Sequence, residues 1–443
     1  MQNKRLKLFL FSGLGLLILS LGVGVSFSIS VRKQDAKIDA IAQEFLQNYP
    51  PTTTNNTAKT LNVLVSELGI RSVTGSDSTF STPPDPVQSE AFQAIAQDLT
   101  AYITTQGQKT QGPLDPIPEN LQTYLSQQQG TLTAIQSHLL NNQLPTWDFD
   151  TEELSNLSHA VPSFSGLSQL QQLLSLKAIS DYQQQQSTEM NAAIEANLVI
   201  YQAIVQRPEL ISYLVSLVVT NHNMGIVRHL EGVSPELSNQ FLATDLQQLG
   251  HERIQFDAWT QYKGIKKWAQ ESPDLAKDFG MIAALNHLPL QRSYLMLSNV
   301  DIAQRMNLSY QQLPELTVCS ASPETMNAQL YFTAPWWNLI GQVSTPSFIR
   351  QWQKGGQTML ATELTHHVTT AKALAAEQGQ WPDTLPNLTS QTCPNQQWVY
   401  TVSPAGEMSL SFSHEIPWLT AEAISVPPSR WLLPLTYQAT LTD

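Results

Sequence analysis

The sequence predicts a mainly α protein with an N-terminal transmembrane helix, a bundle-like body of many helices and a small C-terminal β-hairpin module. Three observations carry that expectation. No charged residue lies between Lys7 and Arg32. From Val87 onward apolar residues recur at helical spacing almost without interruption. Near the C-terminus, Trp398 to Phe412 alternates apolar and polar residues about a Pro404 to Gly406 turn.

Residues 8–31, "LFLFSGLGLLILSLGVGVSFSISV", can span a hydrocarbon core of about 30 Å as one helix. Lys4, Arg5 and Lys7 would also suit the basic region of a cleaved signal peptide. The apolar stretch is longer than such peptides use and has no A-x-A site, so an uncleaved anchor is the preferred reading. Basic residues flank the span on both sides, with Arg32, Lys33 and Lys37 after it, and the positive-inside rule leans toward a cytoplasmic N-terminus. The body would then stand outside the cytoplasm in a bacterial envelope, with the lipid bilayer as a partner through residues 8–31.

Residues 32–86 read as a stalk helix and a flexible connector. Ile38, Ile41, Ala42, Phe45 and Leu46 share a helical face that Pro50 and Pro51 end, and stretches rich in Ser, Thr, Asn and Pro follow as far as Pro86. Residues 87–308 read as the helical body, beginning with Phe92, Ile95, Ala96, Leu99 and Ile103 on one face. Pro and Gly punctuate its later helices at short intervals, which predicts antiparallel helix hairpins. The apolar run "LISYLVSLVV" is too short for a second span and reads as a buried helix. Further helices are expected over Glu236 to Leu249, Arg253 to Tyr262 and Leu275 to Met306, the last kinked by Pro289. Residues 309–356, with adjacent Trp336 and Trp337, read as a Pro- and aromatic-rich connecting region. Residues 357–443 read as a long helix, starting after Gly355 and Gly356 and stopping at Gly379, plus the hairpin tail.

Charge narrows the partners. The chain is 13% charged, about half the usual share, and carries a net charge of −13 with a pI near 5.1. A phosphate backbone demands clustered Lys and Arg, so nucleic acid is excluded as a partner. The basic residues form no run that would grip anionic lipid either.

Motifs for chemistry are sparse. Glu363 and His366 stand at i, i+3, half of the pattern used by di-metal carboxylate bundles, but no second copy occurs and a solvated helix face is the preferred reading. His222 and His229 are seven apart, two turns along one face, which is too few ligands for zinc. These four residues are the metal candidates, and no cofactor is expected. Neither a G-x-S-x-G elbow nor a phosphate-cradling glycine loop is present, and Ser165 or Ser168 reads as a helix cap. Cys319 and Cys393 are an even pair without C-x-x-C spacing. They suit a disulfide in an oxidising compartment, or two buried free thiols.

The stretch "ALAAEQGQWPDTLPNL", followed by "QWVYTVSPAGEMSLSFS", resembles the last part of a major pseudopilin of type II secretion. The resemblance implies a helix-ending turn through Gly379, Trp381, Pro382, Thr384 and Leu385. It also implies a hairpin pairing Trp398, Tyr400 and Val402 against Met408, Leu410 and Phe412. The whole arrangement is similar to a group of uncharacterised bacterial single-pass membrane proteins, with a span, a long helical middle and this tail. The pseudopilin processing site, with its Glu inside the span, is missing here, so the tail reads as a module reused on a helical body.

The leading functional expectation is a non-enzymatic, membrane-anchored extracytoplasmic scaffold or interaction protein. Its contacts with envelope proteins would be carried by the body surface and by the tail around Trp381 and Trp398. Two alternatives stay open: an accessory component of a secretion or pilus-like envelope machine, and an envelope hydrolase or metal-dependent enzyme using some of His222, His229, Glu363 and His366.

Overall fold

The computed structural model describes residues 46–74, 83–150, 161–271, 318–319, 346–416 and 433–441, with positions 36, 40, 43 and 301 besides. The expected anchor over 8–31, all of the helix over 275–306 but position 301, and most of the connecting region 309–356 lie outside the described residues.

The first departure from expectation falls in the connector. Instead of a flexible segment, α1 forms over Asn56–Glu67. The Asn55 side-chain oxygen accepts from the Ala58 amide at 2.8 Å, capping the helix, and Ala58, Leu61, Val65 and Leu68 form a fully buried stripe. That stripe packs on α3 (Glu119–Asn141), which supplies what a twelve-residue helix lacks alone. Its short pattern is easily overlooked between two stretches of loop composition. A two-residue strand, β1 (Val73–Thr74), pairs antiparallel with β2 (Val161–Pro162).

Caps set the remaining boundaries. Asp85 accepts from the amides of Val87 and Gln88 and starts α2 (Pro86–Gly107), with Pro86 in the first turn. Ser163, rather than the expected Ser165 or Ser168, caps α4 (Phe164–Gln183) through the Gly166 amide. There follow α5 (Ser187–Val205), α6 (Leu210–Val227) and α7 (Pro235–Leu242). The helix expected over Glu236 to Leu249 is divided, because Asp245 accepts from the Gln247 and Gln248 amides and opens α8 (Leu246–Glu271). The long C-terminal helix, α9, spans Pro346–Gln378. It runs through Gly355 and Gly356, so the boundary expected there is misplaced. Two interior glycines cost about 1 kcal/mol each, and burial of Trp352 and Leu360 offsets this.

At the centre lies α6, packed against α2, α4, α5, α8 and α9. Among the described residues α6 is the helix long and apolar enough to cross a membrane, yet 72% of it is buried inside the bundle. A polar knot fixes its register: the Asn223 side-chain oxygen accepts from Ser175 on α4 and from Asn197 on α5, at 3.0 Å each.

The tail is a three-stranded antiparallel sheet, β3 (Trp398–Val402), β4 (Glu407–Phe412) and β5 (Thr436–Thr440), in that order. Trp398 pairs with Phe412, Tyr400 with Leu410 and Val402 with Met408, so the two sets of residues expected to face each other in the hairpin do so. Gly406 closes the hairpin at φ +79°, and Gly379 ends α9 at φ +70°, both conformations that favour glycine. The third strand goes beyond the hairpin that the sequence predicts. Trp398, Met408, Leu410, Tyr437 and Ala439 are buried and join a second hydrophobic cluster with Leu360, Leu364 and Val368 of α9.

Candidate functional site

The chemistry-bearing residues gather along α9, between the bundle and the sheet. Glu363 lies 3% exposed on the side turned to the tail, so the solvated face expected for it is corrected. Its Oε1 accepts from the Thr392 amide at 2.6 Å and the Thr392 hydroxyl at 2.5 Å. Its Oε2 accepts from Ser390 at 2.7 Å and from the Trp398 indole N–H at 3.0 Å. All four donors are neutral. Four bonds of this kind offset the cost of burying a carboxylate and commit it to holding the tail.

The opposite charge stands on the other side of α9. Arg228, just past the end of α6, is fully buried. It donates to Ala361 O at 3.1 Å and Pro434 O at 3.1 Å, and to the Thr365 hydroxyl at 3.2 and 3.3 Å. Burial pulls its pKa down to about 10, which leaves it charged at neutral pH. One guanidinium thus joins α6, α9 and the approach to β5.

The sequence-derived metal candidates scatter. His222 is buried within α6. His229 lies beyond the end of that helix, so the common face expected for the two is lost. The His229 ring nitrogens lie 3.1 Å from Lys109 O and 3.3 Å from Gly112 O, and its ring meets Tyr437 edge-on at 5.2 Å. Burial, then the charges of Arg228 and Lys372, push its pKa down to about 3. Glu363 and His366 are brought together, since both line a cavity of 100 Å³ with His367 and Asn387. Nδ1 of His366 lies 3.3 Å from the Ser238 hydroxyl on α7. Among the described residues no three His, Cys, Asp or Glu side chains converge in a way that could hold a metal ion.

The expected contact residues of the tail face inward. Trp398 is 1% exposed and bonded to Glu363, and Trp381 is 6% exposed. Both are therefore core: Trp398 places its indole N–H on Glu363, and Trp381 joins the hydrophobic cluster shared by α9 and the sheet. Cys319 and Cys393 are joined by a disulfide, with their Cα atoms 6.0 Å apart. Ser390 Oγ also accepts from the Cys393 amide at 3.0 Å, which couples the disulfide to the Glu363 cluster. Arg228, Ser390 and Thr392 escaped the sequence reading. The available signal was a lone Arg closing an apolar helix, and it named no partner.

Fold and site together define a class: a helical body with a small antiparallel sheet fastened to its last long helix by a buried carboxylate, a buried guanidinium and a disulfide. Compared with known proteins, the chain matches no protein-family model, no curated protein and no solved structure.

Proposed function

We propose that this protein is a non-enzymatic envelope scaffold, anchored in the bilayer by residues 8–31, whose helical body stands outside the cytoplasm and presents the tail sheet as a fixed platform. The observation that carries this reading is the Cys319–Cys393 bond, since such bonds persist in oxidising compartments and are rare in the cytosol. Glu363 and Arg228 support it further, because both use buried charge to immobilise the sheet rather than to meet a substrate.

Peptide mass mapping of the membrane-extracted protein, with and without reduction, is the direct test. A disulfide-linked Cys319–Cys393 peptide in material alkylated before extraction, together with digestion of the body by protease added outside the inner membrane, is the expected result. Two alkylated thiols, or a body protected from that protease, would defeat the reading. A second reading, an accessory part of a secretion or pilus-like machine, rests on the resemblance of the tail to a major pseudopilin, with which the hairpin pairing of Trp398 with Phe412 and of Tyr400 with Leu410 is consistent. Gentle crosslinking should then recover pseudopilins.

A further inference from the structure

A groove of 680 Å³ opens between α3 and α4, which pack on their shared neighbours α2 and α5. That volume falls within the range of about 300–1,000 Å³ usual for small-molecule sites. Its two walls carry polar groups at the same spacing, Gln122, Ser126 and Gln129 on α3, and Lys177 and Asp181 on α4 with Gln184 at its C-terminal cap. Lys177 Nζ donates to both Asp181 carboxylate oxygens, at 3.1 and 2.9 Å, and the two residues are only 8% and 5% exposed.

Stability does not account for this pair. Removing two charges from water costs more than their attraction commonly returns, and an apolar pair of the same shape is often at least as stable. Lys placed four residues before Asp is also the less favourable order on a helix. Asp181 further sits in the last turn of α4, where the helix dipole favours cations. Two penalties, desolvation and an unfavourable helix polarity, thus fall on one ion pair in the wall of an open groove.

The lining specifies what would use it. The pair is neutral overall, yet an ammonium has three donors and a carboxylate about four acceptor positions, so each keeps capacity beyond the bond they share. Amides and a hydroxyl around it both donate and accept. Glu119 adds a second carboxylate to the lining and disfavours anions, so a matched ligand carries no negative charge and offers donor and acceptor at the same atom, as hydroxyl groups do. We propose that the α3–α4 groove binds a neutral oligosaccharide, with a pair of adjacent hydroxyls laid across Lys177 and Asp181. The assignment is independent of where the body resides and of how the tail is used.

Titration calorimetry of the full chain in a zwitterionic, sugar-free detergent tests it, with cellotriose, maltotriose and chitotriose as probes and a Gly-Ser octapeptide as the competing class. At least one trisaccharide is expected to bind with a Kd of about 1 mM or tighter. The double variant Lys177→Met, Asp181→Leu is expected to weaken that binding at least about tenfold while its unfolding midpoint stays unchanged or rises. Should that variant fail to fold, the exposed Gln122→Ala change is expected to weaken binding about threefold or more. The proposal is overturned if no trisaccharide binds at about 10 mM, if the octapeptide binds instead, or if the folded double variant binds as the native protein does.

Discussion

At Glu363 each carboxylate oxygen accepts two bonds, one pair from Thr392 and the other from Ser390 and Trp398. In Glu363→Gln one oxygen becomes an NH2 group facing two donors, which should cost about 2–3 kcal/mol. Denaturant unfolding followed by tryptophan fluorescence is the check, and an unchanged midpoint would remove the carboxylate from its structural role. Histidines predict a pH dependence. Burial lowers the pKa of His222, His251 and His367 to about 4 and that of His229 to about 3. The unfolded chain binds these protons near pH 6.5, so below that value it holds more protons than the folded one. Stability is therefore full above pH 6.5 and falls as pH drops toward 4, on the order of 1 kcal/mol or more per imidazole. Unfolding midpoints at pH 7 and pH 5 should show the loss, and His229→Gln should make the difference smaller.

Elements meet closely where α2 crosses α6. A Cβ built on Gly225 would lie 2.6 Å from the Gly107 Cα and 2.7 Å from its carbonyl oxygen, whereas one on Gly107 would find its nearest atom at an ordinary 3.5 Å. Gly225→Ala should therefore cost about 1–3 kcal/mol, while Gly107→Ala should be neutral or slightly stabilising. Thermal unfolding of the two variants separates these outcomes. The same scale shows what sequence made legible. The buried face of Phe92, Ile95, Leu99 and Ile103 and the pairing of β3 with β4 follow from periodicity, because burial repeats every turn or every second residue. Periodicity says nothing of β5, whose partner lies in a distant hairpin, nor of Asp245, whose capping role depends on a break it creates itself. Glu363 is legible as a residue but its environment is not, since its donors come from 27 to 35 residues further along the chain.

Over the whole molecule, the Cys319–Cys393 bond closes a loop with a sequence separation of 74 residues. Loop-closure entropy for that length corresponds to about 4 kcal/mol. Reduction, or the double change Cys319→Ser and Cys393→Ser, should lower the denaturant midpoint accordingly, and equal midpoints with and without reductant would show the bond to be absent in solution. The placement of β5 matters in another way while the chain is being made. Pro434 meets Arg228 across 206 residues, and the Gln438 amide donates to Thr110 O at 2.7 Å. Until residues 434–440 leave the ribosome, β4 carries an open row of N–H and C=O groups beside Met408 and Leu410. For that interval the nascent protein can accept a strand from a neighbouring molecule, and the arrival of β5 is what closes the opportunity.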